Sequence, residues 1–178
     1  MHMSRQVMDG MIIAAVLALG ASHLYAQGLA SRRVLHANAA GGTTSSAARG
    51  VKGPNDGAAV AGHGVTTDRQ GNAAGGSAAA VKGPGGAMGA RAGGWTHSAD
   101  GSTQHQSRGA VSGTRGKMAS SGSMTRGANG SVSGARNTAA TASSGATYEG
   151  QTTYDKGSGA THTSTCTNAA GAVVPCTK

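Results

Sequence analysis

The chain has no Phe, one Trp and three Tyr in 178 residues, and its large aliphatic residues are almost as scarce. From Gln27 onward there are two Leu, nine Val and no Ile among 152 residues. A share this far below about one-fifth marks chains that do not assemble a conventional core by side-chain burial. The shortage argues against a packed globule, and with it against an enzyme, because catalytic constellations need a rigid, supported pocket. Acid is scarce too: six Asp and Glu stand against fifteen Lys and Arg, for a formal net charge of +9. Cysteine is limited to two residues and proline to three.

One apolar run is present, Met11 to Ala21, preceded by Arg5. A membrane-crossing helix needs about 20 apolar residues, and the polar pair Ser22-His23 ends this run sooner. Ala26 then offers a small residue for cleavage, so residues 1–26 read as a signal peptide and the mature chain starts near Gln27. Asp9 and Leu24 depart from the usual pattern. No Cys follows the run to carry a lipid, and no second apolar run follows it. The mature chain is therefore expected to be exported to the periplasm, the cell surface or the extracellular space, with no transmembrane segment after cleavage, in a compartment where thiols oxidise.

Composition predicts a largely disordered low-complexity chain, with order confined to the second half. Residues 27–94 are rich in Gly and Ala and contain Pro54 and Pro84, each without a backbone donor. They read as a disordered linker. Residues 95–178 read as an all-β repetitive meander ending in a disulfide-closed hairpin.

Degenerate repeats support that division. Val51-Lys52-Gly53-Pro54 recurs as Val81-Lys82-Gly83-Pro84, and Ala99-Asp100-Gly101-Ser102 recurs as Ala128-Asn129-Gly130-Ser131, at offsets of 30 and 29 residues. Turn-forming residues punctuate the chain about every 12–16 residues, leaving room for extended segments of about 8–11. Asp100-Gly101 and Asn129-Gly130 are expected to form two-residue type I′ turns, whose central residues both need positive φ. Asp56, Asp68, Asp100 and Asp155 each lie within three positions of a following Gly, so acidity here reads as turn chemistry rather than as paired catalytic carboxylates.

Near the C-terminus, Thr161, Thr163, Thr165 and Thr167 would share one face of a strand, with His162, Ser164 and Cys166 on the other. Thr147 to Thr153 is a second candidate strand. Cys166 and Cys176 flank a turn centred on Gly171, and in an exported chain they are expected to form a disulfide. His162 stands four residues before Cys166, but one His and two Cys do not complete a zinc site. His36, His63, His97 and His105 show no ligand spacing either, and no metal or cofactor is expected.

The two Ala-Asp/Asn-Gly-Ser turns, the segment Tyr148-Glu149-Gly150-Gln151-Thr152-Thr153-Tyr154 and the ending from His162 to Cys176 resemble exported Gly/Ser/Thr-rich repeat proteins of Gram-negative bacteria with a C-terminal two-Cys hairpin. The likeness covers about half of the chain. It implies export and repetition, and that group brings no established activity with it.

Scattered positive charge suits anionic surfaces or polymers. The candidate contacts are Arg91, Arg108, Arg115, Lys117, Arg126 and Arg136. Arg-Gly pairs at Arg49, Arg108, Arg115 and Arg126 are similar to Arg/Gly-rich RNA-binding segments, which interleave aromatic stacking platforms. This chain has too few aromatics for that, and specific nucleic-acid recognition is not expected. Gly116-Lys117 is followed by Met118 where a phosphate-binding loop needs Ser or Thr. The sequence thus points to a non-enzymatic exported repeat protein, acting as an envelope or extracellular-matrix spacer or adhesive element. The alternative is a soluble cationic module for polyanions such as extracellular DNA, lipopolysaccharide or acidic polysaccharide. Self-assembly is left open.

Overall fold

A computed structural model of the chain describes residues 29–53 and 55–176; the expected signal peptide, residues 1–26, lies outside them. The strands are β1 (Leu29–Ala37), β2 (Thr43–Lys52), β3 (Ala58–Thr67), β4 (Ala73–Lys82), β5 (Met88–His97), β6 (Thr103–Gly113), β7 (Gly116–Arg126), β8 (Val132–Ala142), β9 (Thr147–Asp155), β10 (Gly159–Thr167) and the short β11 (Val173–Val174). They form one eleven-stranded sheet in chain order. Every neighbour is antiparallel, so the whole described chain is a single meander.

Order therefore extends through the half that composition assigns to a linker: β1 to β4 and most of β5 fall within residues 27–94. The physical reason is that a meander does not need the core whose absence suggested disorder. Each strand packs chiefly against its neighbours in sequence, and the organising interaction is the backbone ladder, which small side chains do not obstruct. Ala78 is the single buried apolar side chain among the described residues, while Val51, Val81 and Met118 remain 43%, 53% and 46% exposed. Pro84 does not interrupt a strand, because it opens a short 3-10 turn, Pro84–Gly86, between β4 and β5. Pro54 lies outside the described residues.

Turn chemistry sets the period. The Ser98 N–H bonds Ser102 O at 2.9 Å and the Gly101 N–H bonds Ser98 O at 2.8 Å. The same pair of bonds closes Gly127–Ser131, Asn38–Gly42, Ala142–Ala146 and Asn168–Ala172. These are three-residue hairpin loops in which only the last loop residue is left-handed, rather than the expected two-residue type I′ turns. Gly101 and Gly130 carry the positive φ, at 85° and 77°, and Asp100 and Asn129 do not. Their side chains instead accept the main-chain N–H two residues on: Ser102 N–H to Asp100 Oδ1 at 2.8 Å and Ser131 N–H to Asn129 Oδ1 at 3.0 Å. Left-handed glycines at one end of the sheet fall at 41, 71, 101, 130 and 159, reproducing the 29–30-residue repeat of the sequence.

In the C-terminal half the expected strands and the disulfide are present. Thr161 to Thr167 alternate along β10 opposite β9, with Cys166 facing Tyr148. A disulfide joins Cys166 to Cys176, with Cα atoms 5.3 Å apart.

Candidate functional site

Directly paired residues share a face of a sheet, so register sorts the side chains. On the first face the pairing runs Val51, Ala59, Val81, Gly89, Val111, Met118 from β2 to β7. Parallel to that apolar row lies one containing Arg49 and Arg91, linked through Ala61 and Ala79. The next row contains Arg33, His63, Arg136 and His162. Rows two residues apart are separated by about 7 Å and strands by about 4.8 Å, so these arginines form a band across the sheet.

Trp95, Tyr148 and Tyr154 also belong to the first face. Trp95 lies over its partner Gly75, where a Cβ would meet the indole nitrogen at 2.6 Å, so glycine there makes room for the ring. Arg33, Arg49, Arg91, Arg126 and Arg136 are all exposed on this face. Arg136 Nε donates to Ser120 Oγ at 3.1 Å, which holds the side chain across the β7–β8 pair. None of the described carboxylates is a strand residue of this face: Glu149 and Asp155 belong to the other, and Asp56, Asp68 and Asp100 are in turns.

The second face is floored by small residues. One row reads Ala80, Ala90, Ala110, Ala119, Ala139 over five consecutive strands and then meets Glu149. An open trough of about 870 Å³ lies along it, with Arg108, Asn137, Glu149 and Gln151 among its lining residues. Lys52, Lys82 and Lys117 share one row of this face, at the ends of β2 and β4 and the start of β7. Arg108 and Glu149 are exposed.

The six cationic residues singled out from sequence are thus divided. Arg91, Arg126 and Arg136 share the first face, Arg108 and Lys117 lie on the second, and Arg115 sits in the β6–β7 turn. Arg33 and Arg49 stand on the first face with Arg91, Arg126 and Arg136; neither was among the candidate contacts, because sequence alone does not show which arginines share a face. Asp100-Gly101 and Asn129-Gly130 sit together at one end of the sheet as turns. Among the described residues no three His, Cys, Asp or Glu side chains converge to hold a metal ion, and no helix is long and apolar enough to cross a membrane. No protein-family model, curated protein or solved structure matches the chain.

Proposed function

We propose that this is an exported, non-enzymatic adhesive spacer that lies against anionic surfaces or polymers through its first face. The observation carrying this reading is that Arg33, Arg49, Arg91, Arg126 and Arg136 share that face and no carboxylate is among its described strand residues. Guanidinium groups present a planar fork of donors that matches phosphate, sulfate and carboxylate oxygens. Spread over a rigid sheet, they engage a polymer or a headgroup layer at several points, so weak individual contacts combine. The disulfide fits an oxidising compartment.

Binding to a sulfated polysaccharide and to lipopolysaccharide, followed as salt is raised, tests the reading. Replacing Arg49, Arg91 and Arg136 together by Gln is expected to weaken binding by about tenfold or more and to flatten its salt dependence. Replacing Lys52, Lys82 and Lys117 removes the same charge from the other face and is expected to weaken it less. Equal losses from the two sets, or an affinity indifferent to salt, would overturn the assignment.

A further inference from the structure

The sheet has two edges, and the direction of their main-chain groups is set by the turns. Among the described residues β1 has one neighbour, β2, and β10 has β9 on one side and β11 only opposite Cys166 and Thr167 on the other. The Asn168 N–H bonds Ala172 O across the β10–β11 turn at 2.9 Å. Successive residues of a strand send their N–H and C=O to opposite sides, so Ala160, His162 and Ser164 direct theirs to the same edge, past the end of β11. Cys176 is tied back to Cys166, and among the described residues nothing pairs with that edge of β10 beyond β11. At the other edge, the Asn38 N–H bonds Gly42 O at 3.0 Å toward β2, so the alternate residues Ser31, Arg33 and Leu35 direct their groups outward.

We propose that this open β10 edge takes the β1 edge of a second copy of the same chain, extending the sheet end to end. Three observations favour that occupant. First, the sheet counts ten full strands from β1 to β10 inclusive, and an even number makes β10 and an incoming β1 antiparallel, continuing the alternation of every existing pair. Second, the outward residues of both edges belong to the first face, so hydrogen-bonded pairing places the arginine-bearing faces of successive copies side by side; an odd number of strands would place opposite faces together. Third, β1 pairing with another β1 brings two Arg32-Arg33 pairs together across the new seam, whereas β10 between Gly159 and Thr167 has no Lys, Arg, Asp or Glu. Such a contact is head-to-tail, and head-to-tail contacts that do not close into a ring grow as filaments. The β10 edge also lacks the Lys and Pro with which natural edges are commonly blunted.

The test is sedimentation velocity and electron microscopy of the protein as its cell processes it, over a range of concentrations. Wild type is expected to form species that lengthen in whole-protomer steps. Ser164→Pro removes one outward N–H and none of the β9 ladder, so it should raise the concentration needed for assembly by about tenfold or more while far-UV circular dichroism and the disulfide are unchanged. Leu35→Pro should do the same from the opposite edge. Mixing the two variants restores one intact edge of each kind and should give a dimer that grows no further. A wild-type chain that stays monomeric, including one whose own β1 and β10 edges meet, overturns the proposal. So does undiminished assembly of Ser164→Pro. Assembly blocked by Ser164→Pro but not by Leu35→Pro overturns it in favour of β10 pairing with β10. None of these readouts involves an anionic ligand, so they stand or fall independently of the proposed surface binding.

Discussion

Asn72 Oδ1 accepts a hydrogen bond from the Ala99 main-chain N–H at 2.9 Å, joining the β3–β4 turn to the β5–β6 turn one repeat later. The same side chain reaches back within its own turn, where Asn72 Nδ2 donates to Asp68 Oδ2 at 2.7 Å. Similar ties occur along that end of the sheet: Arg69 Nε donates to Gly41 O at 3.2 Å, and Lys156 Nζ to Gly130 O at 3.3 Å. Hairpins linked edge to edge by backbone ladders are thus also linked turn to turn.

Replacing Asn72 by Ala removes both side-chain bonds and leaves the Ala99 N–H to water. A typical intramolecular hydrogen bond contributes about 0.5–1.5 kcal/mol net, so the expected loss is about 1–2 kcal/mol. Urea unfolding should show a lower midpoint with little change in slope. Hydrogen exchange should quicken in the Asp68–Asn72 and Ser98–Ser102 turns more than in β8 to β10. Uniform quickening across the sheet would contradict a local clamp.

Asp68 gives the fold an acid sensitivity. Its carboxylate accepts the Asn72 side chain and the main-chain N–H groups of Gln70 at 2.8 Å and Asn72 at 2.9 Å. The Asn72 side-chain bond is the largest cause holding its pKa below the ordinary aspartate value, against a smaller opposing effect of desolvation. A carboxyl depressed on folding contributes stability that is fully present above its unfolded pKa, about 3.9, and that is lost as pH falls through the lower folded value. The turn end of the sheet should therefore loosen below about pH 4. An Asp68→Asn variant keeps an acceptor oxygen but loses the charge, and its stability should fall less steeply over that window. Parallel pH curves for the two proteins would remove Asp68 from the account.

The turns were the most legible part of this sequence. Asp100-Gly101 and Asn129-Gly130 marked their positions, and the 29–30-residue offset was readable from two degenerate repeats because the αL position of each hairpin loop tolerates little besides Gly. Turn type was harder, since Asp-Gly and Asn-Gly serve both the two-residue loop and the three-residue one. The strands of the first half were not legible: β4, Ala73–Lys82, contains Ala, Gly, Ser, one Val and one Lys, with neither the alternation nor the β-branched content that marks a strand. What orders such a segment is a partner on each side, which is non-local. The arginine band was hidden for a related reason. Arg91 and Arg108 lie 17 residues apart and look equivalent, yet Arg91 pairs with Gly109, and that register sends Arg108 to the opposite face.

The Cys166–Cys176 disulfide closes the end of a structure whose strands chiefly contact their neighbours. In such quasi-one-dimensional folds, stability is close to a sum over units and the interfaces between them, so the effect of losing a crosslink should fade with distance along the sheet. Cross-linking a loop of this size is worth about 2–3 kcal/mol in the chain-entropy model. Val173 and Val174 are otherwise held by pairing with only Thr167 and Cys166, and Val173 is 75% exposed. A Cys166→Ser, Cys176→Ser double variant is expected to release β11, quicken amide exchange in residues 164–174, and leave exchange in β2 to β7 within about twofold of the parent. Loss of the whole sheet in that variant would mean that the disulfide organises the meander rather than finishing it.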